Sequence, residues 1–142
     1  MTEQRQTGHG WCSLRLRFDE RELELLRGSE QLRGTQLARN GRPDALRTAL
    51  SIARVGHKLR RANPGSTVSL DEGELSLLLE AARGAVEEVH FASSPTAEAD
   101  AARRDAALEA FPELVEKGLW RSFALTRDLQ SVAERLQAAL TA

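Results

Sequence analysis

The amino-acid sequence predicts a mainly α-helical fold with a small two-stranded β element, built as a duplicated strand-helix-helix unit followed by a C-terminal helix. Three observations lead to this fold class. A segment near residue 19 recurs 52 residues later, apolar residues repeat at helical spacing through most of the chain, and aromatic residues make up only 4% of the composition. A core with few aromatic residues must consist mostly of Leu, Ala and Val, which suits helices.

The repeat is densest over eight positions, where residues 19–26 align with residues 71–78 and six are identical. This agreement exceeds what a composition rich in Leu and Glu would give alone, so we expect an internal duplication. The identities pair Asp19 with Asp71, Glu20 with Glu72, Glu22 with Glu74, Leu23 with Leu75, Leu25 with Leu77 and Leu26 with Leu78.

Each copy has the pattern of a short strand that runs into a helix. Apolar residues alternate with arginine over 14–18, and a shorter alternation follows over 68–70, which is the period of a half-buried strand. Asp19 and Asp71 then occupy the N-cap position of a helix, and the glutamates after them suit the positive end of its dipole. Strands this short are unstable alone, so we expect them to pair with each other or with a second subunit.

Length and composition indicate one soluble globular domain. The chain has 142 residues, 29% charged and 41% hydrophobic, which is too apolar for a wholly disordered protein. No apolar run approaches the ~18 residues of a membrane span, and the first ten residues contain no signal-peptide core. The single cysteine excludes an intramolecular disulfide, so we expect a cytoplasmic protein.

The charge is divided unequally along the chain. The formal net charge is −1, but residues 1–64 carry +6 (13 Lys and Arg, 7 Asp and Glu) and residues 65–142 carry −7 (7 and 14). Halves of opposite charge can hold each other or bind a second copy of the chain. The expected partner is therefore the chain itself, as a homodimer, or another protein.

The sequence suggests simple boundaries. The first ten residues are polar, contain two glycines and lack periodicity, as a disordered arm would. Pro95 lies 52 residues after Pro43, so each proline is expected to begin the second helix of its repeat. The expected divisions are a disordered arm at 1–10 and a single helical domain at 11–142, with repeat 1 at about 13–64, repeat 2 at about 65–116, and a helical extension at 117–142 that has no counterpart in the first repeat.

The helix after Pro43 has an apolar side and a basic side. The residues expected in the core are Leu46, Ala49, Leu50, Ala53 and Leu59. The basic stripe consists of Arg47, Arg54, Lys58 and Arg61. Four cations on one helix face could contact a phosphate backbone, so nucleic-acid binding is an alternative function. The competing interpretation is a solvated or salt-bridged surface, and the near-neutral net charge favours it.

The C-terminal part carries the most hydrophobic patch of the second half and a final amphipathic helix. Trp and Phe are common anchors of interfaces, and the helix has the stripe of a bundle or partner-binding helix. The residues expected at an interface are Leu119, Trp120, Phe123, Leu129, Val132 and Leu136.

Two patterns resemble parts of metal sites. Glu87 and His90 have the i, i+3 spacing of the ferritin-like carboxylate proteins, which makes metal binding a second alternative. Those sites need further carboxylates from other helices, and a histidine at a helix end is commonly a partner of the dipole. His9 and Cys12 have half the spacing of a zinc knuckle without a second pair. We expect no bound cofactor.

No catalytic triad, Walker loop or GxGxxG motif occurs in the sequence. The sequence therefore favours a non-catalytic protein–protein interaction or regulatory module that forms a homodimer. Nucleic-acid binding through the basic stripe and metal binding through Glu87 and His90 are the alternatives.

Overall fold

The computed structural model describes residues 3–8, 11–115 and 119–142, with side chains described at 13–115 and 121–142. These residues form five α-helices, two short 3-10 turns and a three-stranded sheet, which confirms the prediction of a mainly α fold with a small β element. In chain order the elements are β1 (Glu3–Gly8), β2 (Trp11–Arg17), α1 (Glu20–Asn40), α2 (Pro43–Arg61), β3 (Thr67–Asp71), α3 (Glu72–Ala92), a 3-10 turn (Pro95–Asp100), α4 (Ala101–Ala110), a second 3-10 turn (Pro112–Val115) and α5 (Leu119–Thr141).

The sheet has the order β1-β2-β3, and both pairings are antiparallel. Strand β1 lies within the segment that the sequence predicted to be a disordered arm, so the sheet has one strand more than expected. The first ten residues lack the alternation that marks a half-buried strand. Main-chain hydrogen bonds along one edge of β2 supply the pairing instead, and these need no particular side chain.

The register between β2 and β3 has the symmetry of a twofold axis. Leu16 pairs with Val68, which is the residue 52 positions later and thus the equivalent of Leu16 in the second copy. When each residue is exchanged for its equivalent, the pair on one side of this centre becomes the pair on the other side. The pairs related in this way are Arg15 with Ser69 and Arg17 with Thr67. An ancestral duplication stays a prediction. The register is compatible with it, because the centre of the symmetry falls on a pair of equivalent residues inside both strands.

The two helices that follow the paired strands begin with the same cap. The carboxylate of Asp19 accepts a hydrogen bond from the amide of Glu22 at 2.8 Å, and the carboxylate of Glu22 accepts one from the amide of Asp19 at 3.0 Å. Asp71 and Glu74 make the same capping box at 2.7 and 3.1 Å. Each box satisfies two main-chain donors that a helix N-terminus leaves free. Both helices are 21 residues long.

The long helices pack in the order α2, α1, α3, α5, while α4 contacts both α1 and α3. The inward residues of β2 and β3 join the leucines of α1 and α3 in one core. Burial of this apolar surface is the main source of stability in a fold of this size. Residues at the centre that are at most 1% exposed include Leu16, Phe18, Leu23, Leu26, Leu70, Leu75 and Leu78.

Helix α5 occupies in the second half the place that α2 occupies in the first. Helix α2 packs mainly along α1, and α5 packs mainly along α3, whereas α4 makes a smaller contact with α3. Lys58 of α2 forms an ion pair with Glu74, the capping-box glutamate of the other half, at 2.7 Å. Arg135 of α5 forms an ion pair with Glu22, the capping-box glutamate of the first half.

The sequences of α2 and α5 agree with this correspondence at a shift of 77 residues. Val55 and Leu59 then align with Val132 and Leu136, and all four side chains are buried. Because β2, α1 and α2 align with β3, α3 and α5, we interpret α4 and its flanking 3-10 turns as an insertion of about 25 residues in the second half. This interpretation is an alternative to the predicted repeat boundary at 116, which stays a prediction, and it would give the extension at 117–142 a counterpart.

Candidate protein-interaction surface

The side of α2 that points away from α1 is exposed along the whole helix. Its leucines are unusual, because Leu46 is 44% exposed and Leu50 is 65% exposed. We call this surface the outer face of α2. Its residues are Leu46, Arg47, Leu50, Ala53, Arg54, His57 and Arg61, all of them exposed.

The sequence prediction for the core side of α2 was wrong for three residues. Leu46, Leu50 and Ala53 lie on the outer face, and Ile52 and Val55 enter the core at 1% and 0% exposure. Helix α2 carries apolar residues on two opposite sides, so helical periodicity alone allows two orientations. Of the five residues predicted in the core, Leu59 is buried and Ala49 is half-buried.

The outer face has the spacing of a helix–helix contact. Leu46, Leu50, Ala53 and His57 follow one another at steps of four, three and four residues, which is the spacing of a coiled-coil seam. Three arginines lie beside this seam. Each is seven residues, or about 10.5 Å along the helix axis, from the next. They occupy the flanking positions whose charges select a partner in coiled coils. These arginines are Arg47, Arg54 and Arg61.

The predicted basic stripe is divided in the structure. Within the described part of the chain, the side chains of Arg47, Arg54 and Arg61 form no ion pair or hydrogen bond. Lys58 instead donates to the carboxylate of Glu74 at 2.7 Å and to the carbonyl of Ser69 at 3.1 Å. Lys58 therefore stabilises the junction of β3 and α3, and three of the four predicted cations remain available to a partner.

The predicted C-terminal interface lies mostly in the core. Leu129, Val132 and Leu136 are 0%, 4% and 1% exposed, so they are not available to a partner, and the interface prediction is corrected for them. Their side of α5 is covered by α3, as the corresponding side of α2 is covered by α1. Phe123 is 65% exposed. Leu119 and Trp120 belong to α5, but their side chains lie outside the described residues.

A groove between α3 and α5 carries acidic side chains. Val86 and the buried Ala133 are its apolar residues, and Arg83 donates to the side-chain oxygen of Gln137 across it at 2.8 Å. Exposed Glu80 lies seven residues before Glu87 on the same helix. We call this surface the α3/α5 groove. Its lining residues are Arg83, Val86, Glu87, Gln130, Ala133, Glu134 and Gln137.

The predicted metal pair does not acquire further ligands. Glu87 and His90 are both exposed on α3. Among the residues that the structure describes, no group of three or more His, Cys, Asp or Glu side chains is placed to hold a metal ion. His9 and the side chain of Cys12 lie outside the described residues.

Two ion pairs attach the insertion to the rest of the fold. The guanidinium of Arg103 on α4 donates to the buried carboxylate of Glu88 on α3, with its shortest contact at 2.6 Å. The same guanidinium lies 3.9 Å from the ring centroid of Phe91. The guanidinium of Arg21 on α1 donates to Glu113 at 2.7 Å. Hydrogen bonding to these carboxylates raises the pKa of both arginines, so they stay charged.

Another buried carboxylate, that of Glu30, lies between α1 and α2. Glu30 is 6% exposed and reaches Arg60 at 3.4 Å. Loss of hydration raises the pKa of Glu30, and the nearby positive charge of Arg60 opposes that rise. A β-carbon on Gly56 would lie 2.3 Å from the Glu30 side chain, so the glycine makes the space that this carboxylate occupies. No pattern in the sequence marked this buried site.

Comparisons of this chain with protein-family models, with curated protein sequences and with solved structures found no match. Within the described residues, no helix has the length and apolar character needed to cross a membrane.

Proposed function

We propose that this chain is a non-catalytic protein–protein interaction module that forms a homodimer and binds its partner through the outer face of α2. The observation that carries the proposal is the exposed seam of this helix, in which Leu46 and Leu50 are flanked by Arg47 and Arg54. Isolated exposed leucines are ordinary, but leucines at seam spacing beside charges at heptad spacing are the pattern of a helix that docks.

The energetics of the seam favour docking. A leucine side chain that moves from water to a packed interface contributes about 1.5 to 3 kcal/mol. Leu50, at 65% exposure, has most of this contribution still to gain. Exposed arginines at the rim add orientation and speed of association more than affinity. A specific but modest association is therefore expected.

The arrangement of the buried ionisable groups also supports a non-catalytic role. Glu22, Glu30 and Glu88 are the buried carboxylates of the described chain, and each forms an ion pair with an arginine from another helix. These pairs join α1 to α5, α1 to α2 and α3 to α4, so they act as ties between helices. The proposal places the module in the cytoplasm, where its single cysteine would stay reduced.

The proposal is tested by measuring molar mass with light scattering over a wide concentration range. The wild-type chain of 15.6 kDa is expected to give at least twice that mass at high concentration. Leu50→Ser is expected to shift the association to concentrations about 30-fold higher, because truncation of a central interface residue costs about 2 kcal/mol. Val115→Ser is the matched control, because Val115 is 67% exposed but lies away from α2. A monomeric wild type, or equal effects of both substitutions, would contradict the proposal.

Nucleic-acid binding is the second candidate, and the three unpaired arginines of α2 favour it. Arg47, Arg54 and Arg61 lie along one line of the helix and could release counterions from a phosphate backbone. Binding of labelled DNA or RNA should then fall steeply with salt, and Arg54→Glu should weaken it while Leu50→Ser should not. A protein interface is distinguished by the loss of self-association in Leu50→Ser. Absence of binding at low salt would exclude this candidate.

A further inference from the structure

We propose that the partner of the α2 outer face is the α3/α5 groove of a second copy of this chain. This inference rests on the proposed function and specifies which two surfaces meet. The seam residues Leu46 and Leu50 of one copy would enter this groove beside the half-buried Val86 of the other. The arginines beside the seam would then face the acidic walls of the groove.

Charge argues against the simplest alternative, in which α2 pairs with α2 of the second copy. An antiparallel pairing of two identical helices about a twofold axis brings the same flanking position of each helix together. That position is arginine at 47, 54 and 61, so the contact would oppose like charges. Like charges juxtaposed in an interface cost several-fold to many-fold in affinity. An acidic partner removes this cost.

Helix α3, which forms one wall of the groove, carries acidic residues at the matching interval. Glu80 and Glu87 are both exposed and lie seven residues apart on α3, or about 10.5 Å, which is the interval between Arg47 and Arg54. Glu134 lies on the opposite wall. Within the described residues, the side chains of Glu80 and Glu134 form no ion pair or hydrogen bond.

The positive charge inside the groove does not reverse this complementarity. Arg83 is the one cation among the lining residues, and it lies against Gln137 at 2.8 Å. Glu87 and Glu134 outnumber it in the lining, and exposed Glu80 lies seven residues before Glu87 on α3. The outer face of α2 carries three arginines and no acidic residue. The two surfaces therefore carry net charges of opposite sign.

The contact joins different surfaces of two identical chains. Two copies that exchange both contacts form a closed twofold dimer, whose interface is isologous, and copies that do not exchange them form a heterologous ring or longer array. In either case every copy uses one α2 and one groove. A variant that loses its α2 charges therefore keeps a functional groove, and a variant that loses its groove charges keeps a functional α2.

Charge reversal on the two surfaces tests the proposal. The helix variant is Arg47→Glu with Arg54→Glu, and the groove variant is Glu87→Arg with Glu134→Arg. Each variant alone is expected to lose self-association by about tenfold or more, because like charges then meet across the contact. An equimolar mixture of the two variants should associate again, since the reversed helix meets the reversed groove. Mass by light scattering and sedimentation velocity measures all three samples.

Matched controls carry the same charge changes elsewhere. Arg15→Glu with Arg17→Glu alters exposed residues of β2, and Glu98→Arg with Glu109→Arg alters exposed residues of the insertion. Both controls should associate as the wild type does. Circular dichroism checks that every variant is folded, and recovery in the mixture gives independent evidence of folding.

The outcomes separate the inference from the proposed function. Loss in both variants with recovery in the mixture supports the inference. Loss in the helix variant together with wild-type association of the groove variant overturns the inference and leaves α2 as an interface with another surface. Loss in both variants without recovery also overturns it. A wild-type chain that is monomeric throughout overturns the homodimer of the proposed function itself.

Discussion

We interpret the strands and long helices of the two halves as equivalent, but the halves differ in how the last helix is reached. In the first half, α2 begins three residues after α1 ends at Asn40, whereas α4 and two 3-10 turns separate α3 from α5. This insertion packs on α1, where Phe111 and the carbonyl of Ala110 lie against Gly28. The equivalent of Gly28 in the second half is Glu80, which is exposed. The insertion therefore covers this surface of α1 in the first half, whereas the corresponding acidic surface of α3 in the second half stays exposed.

The halves also differ where the last helix ends. Helix α2 stops at Arg61, and the guanidinium of Arg27 donates to the carbonyls of Leu59 at 3.0 and 2.9 Å and of Ala62 at 2.9 Å. The residue equivalent to Arg27 is Leu79, which is buried in the second half. Helix α5 continues beyond the equivalent point to Thr141, so its carbonyls there remain inside the helix. In the shorter helix α2, the Arg27 side chain therefore satisfies carbonyls at the C-terminal end.

A third difference concerns a buried pair. Glu30 and Gly56 of the first half correspond to Ala82 and Ala133 of the second. In the first half the glycine leaves room for the carboxylate, whereas both positions of the second half carry a methyl group. A buried carboxylate is costly even beside one cation, because desolvation opposes its charge. The second half avoids this cost.

Removal of the capping-box glutamates should produce the largest difference between the halves. Glu22→Ala is expected to lower the free energy of unfolding by about 3 kcal/mol, because it removes a cap and leaves Arg135 without its buried partner. Glu74→Ala should cost about 1 kcal/mol, since Lys58 remains largely in water. Urea denaturation measures both values. Equal losses would show that the two boxes contribute alike.

Arg27→Leu, which introduces the residue of the second half, is expected to cost about 2 kcal/mol. The substitution removes the charged donor to two carbonyls at the end of α2, and hydrogen bonds to charged groups contribute about 1.5 to 3 kcal/mol. Hydrogen exchange should accelerate in the last turn of α2 and stay unchanged in α5. Leu79→Met in the second half is the matched control. Unchanged exchange near Leu59 would contradict the capping role.

Gly28→Ala tests whether the insertion lies tightly on α1. The added β-carbon would lie 2.6 Å from the ring of Phe111 and 2.7 Å from the carbonyl of Ala110. Overpacking costs about 1 to 3 kcal/mol, and the better helix propensity of alanine returns only about 1 kcal/mol. Gly84→Ala on α3 meets no atom within 4 Å and should instead stabilise by about 0.5 to 1 kcal/mol. The unfolding temperatures of both variants measure this difference. A shift of both temperatures in the same direction would contradict the tight packing at Gly28.

The double variant Glu30→Ala with Gly56→Ala should make the first half resemble the second and stabilise it by about 1 kcal/mol. Gly56→Ala alone should be unfavourable, because the methyl group would meet the Glu30 carboxylate at 2.3 to 2.5 Å. The two substitutions should therefore couple favourably in a double-mutant cycle. Additive effects within about 0.3 kcal/mol would indicate that the carboxylate moves away freely.

The smallest expected effect is the pH dependence of Glu30→Gln. The pKa of Glu30 is raised in the folded chain, so between its ordinary value near 4.5 and the raised value the folded state binds more protons than the unfolded state. Wild-type stability relative to Glu30→Gln should therefore fall as pH rises through this interval. Each unit of pKa difference corresponds to about 1.4 kcal/mol. Urea midpoints of both proteins at pH 4.5 and 7.5 test the sign, and a wild type that gains relative stability at the higher pH would contradict it.

Local chemistry in the sequence predicted some of these features correctly and missed others for physical reasons. The caps at Asp19 and Asp71 were predictable because a capping box involves residues within one turn. The orientation of α2 was not, because its two apolar sides are distinguished only by what packs against them. The predicted equivalence of Pro95 with Pro43 stays a prediction, and Pro95 begins a 3-10 turn that leads into α4. The agreement of Val55 and Leu59 with Val132 and Leu136 at a different shift favours α5 instead.

The pairing of Leu16 with Val68 has a consequence for how the protein is made. On the ribosome, β2 leaves the exit tunnel about 50 residues ahead of the strand that completes its second edge. During this delay the nascent first half carries an open main-chain edge and half of a core, which are the features that attract chaperones and neighbouring chains. Early pairing with β1 would protect one side of β2, and synthesis of β3 would close the other.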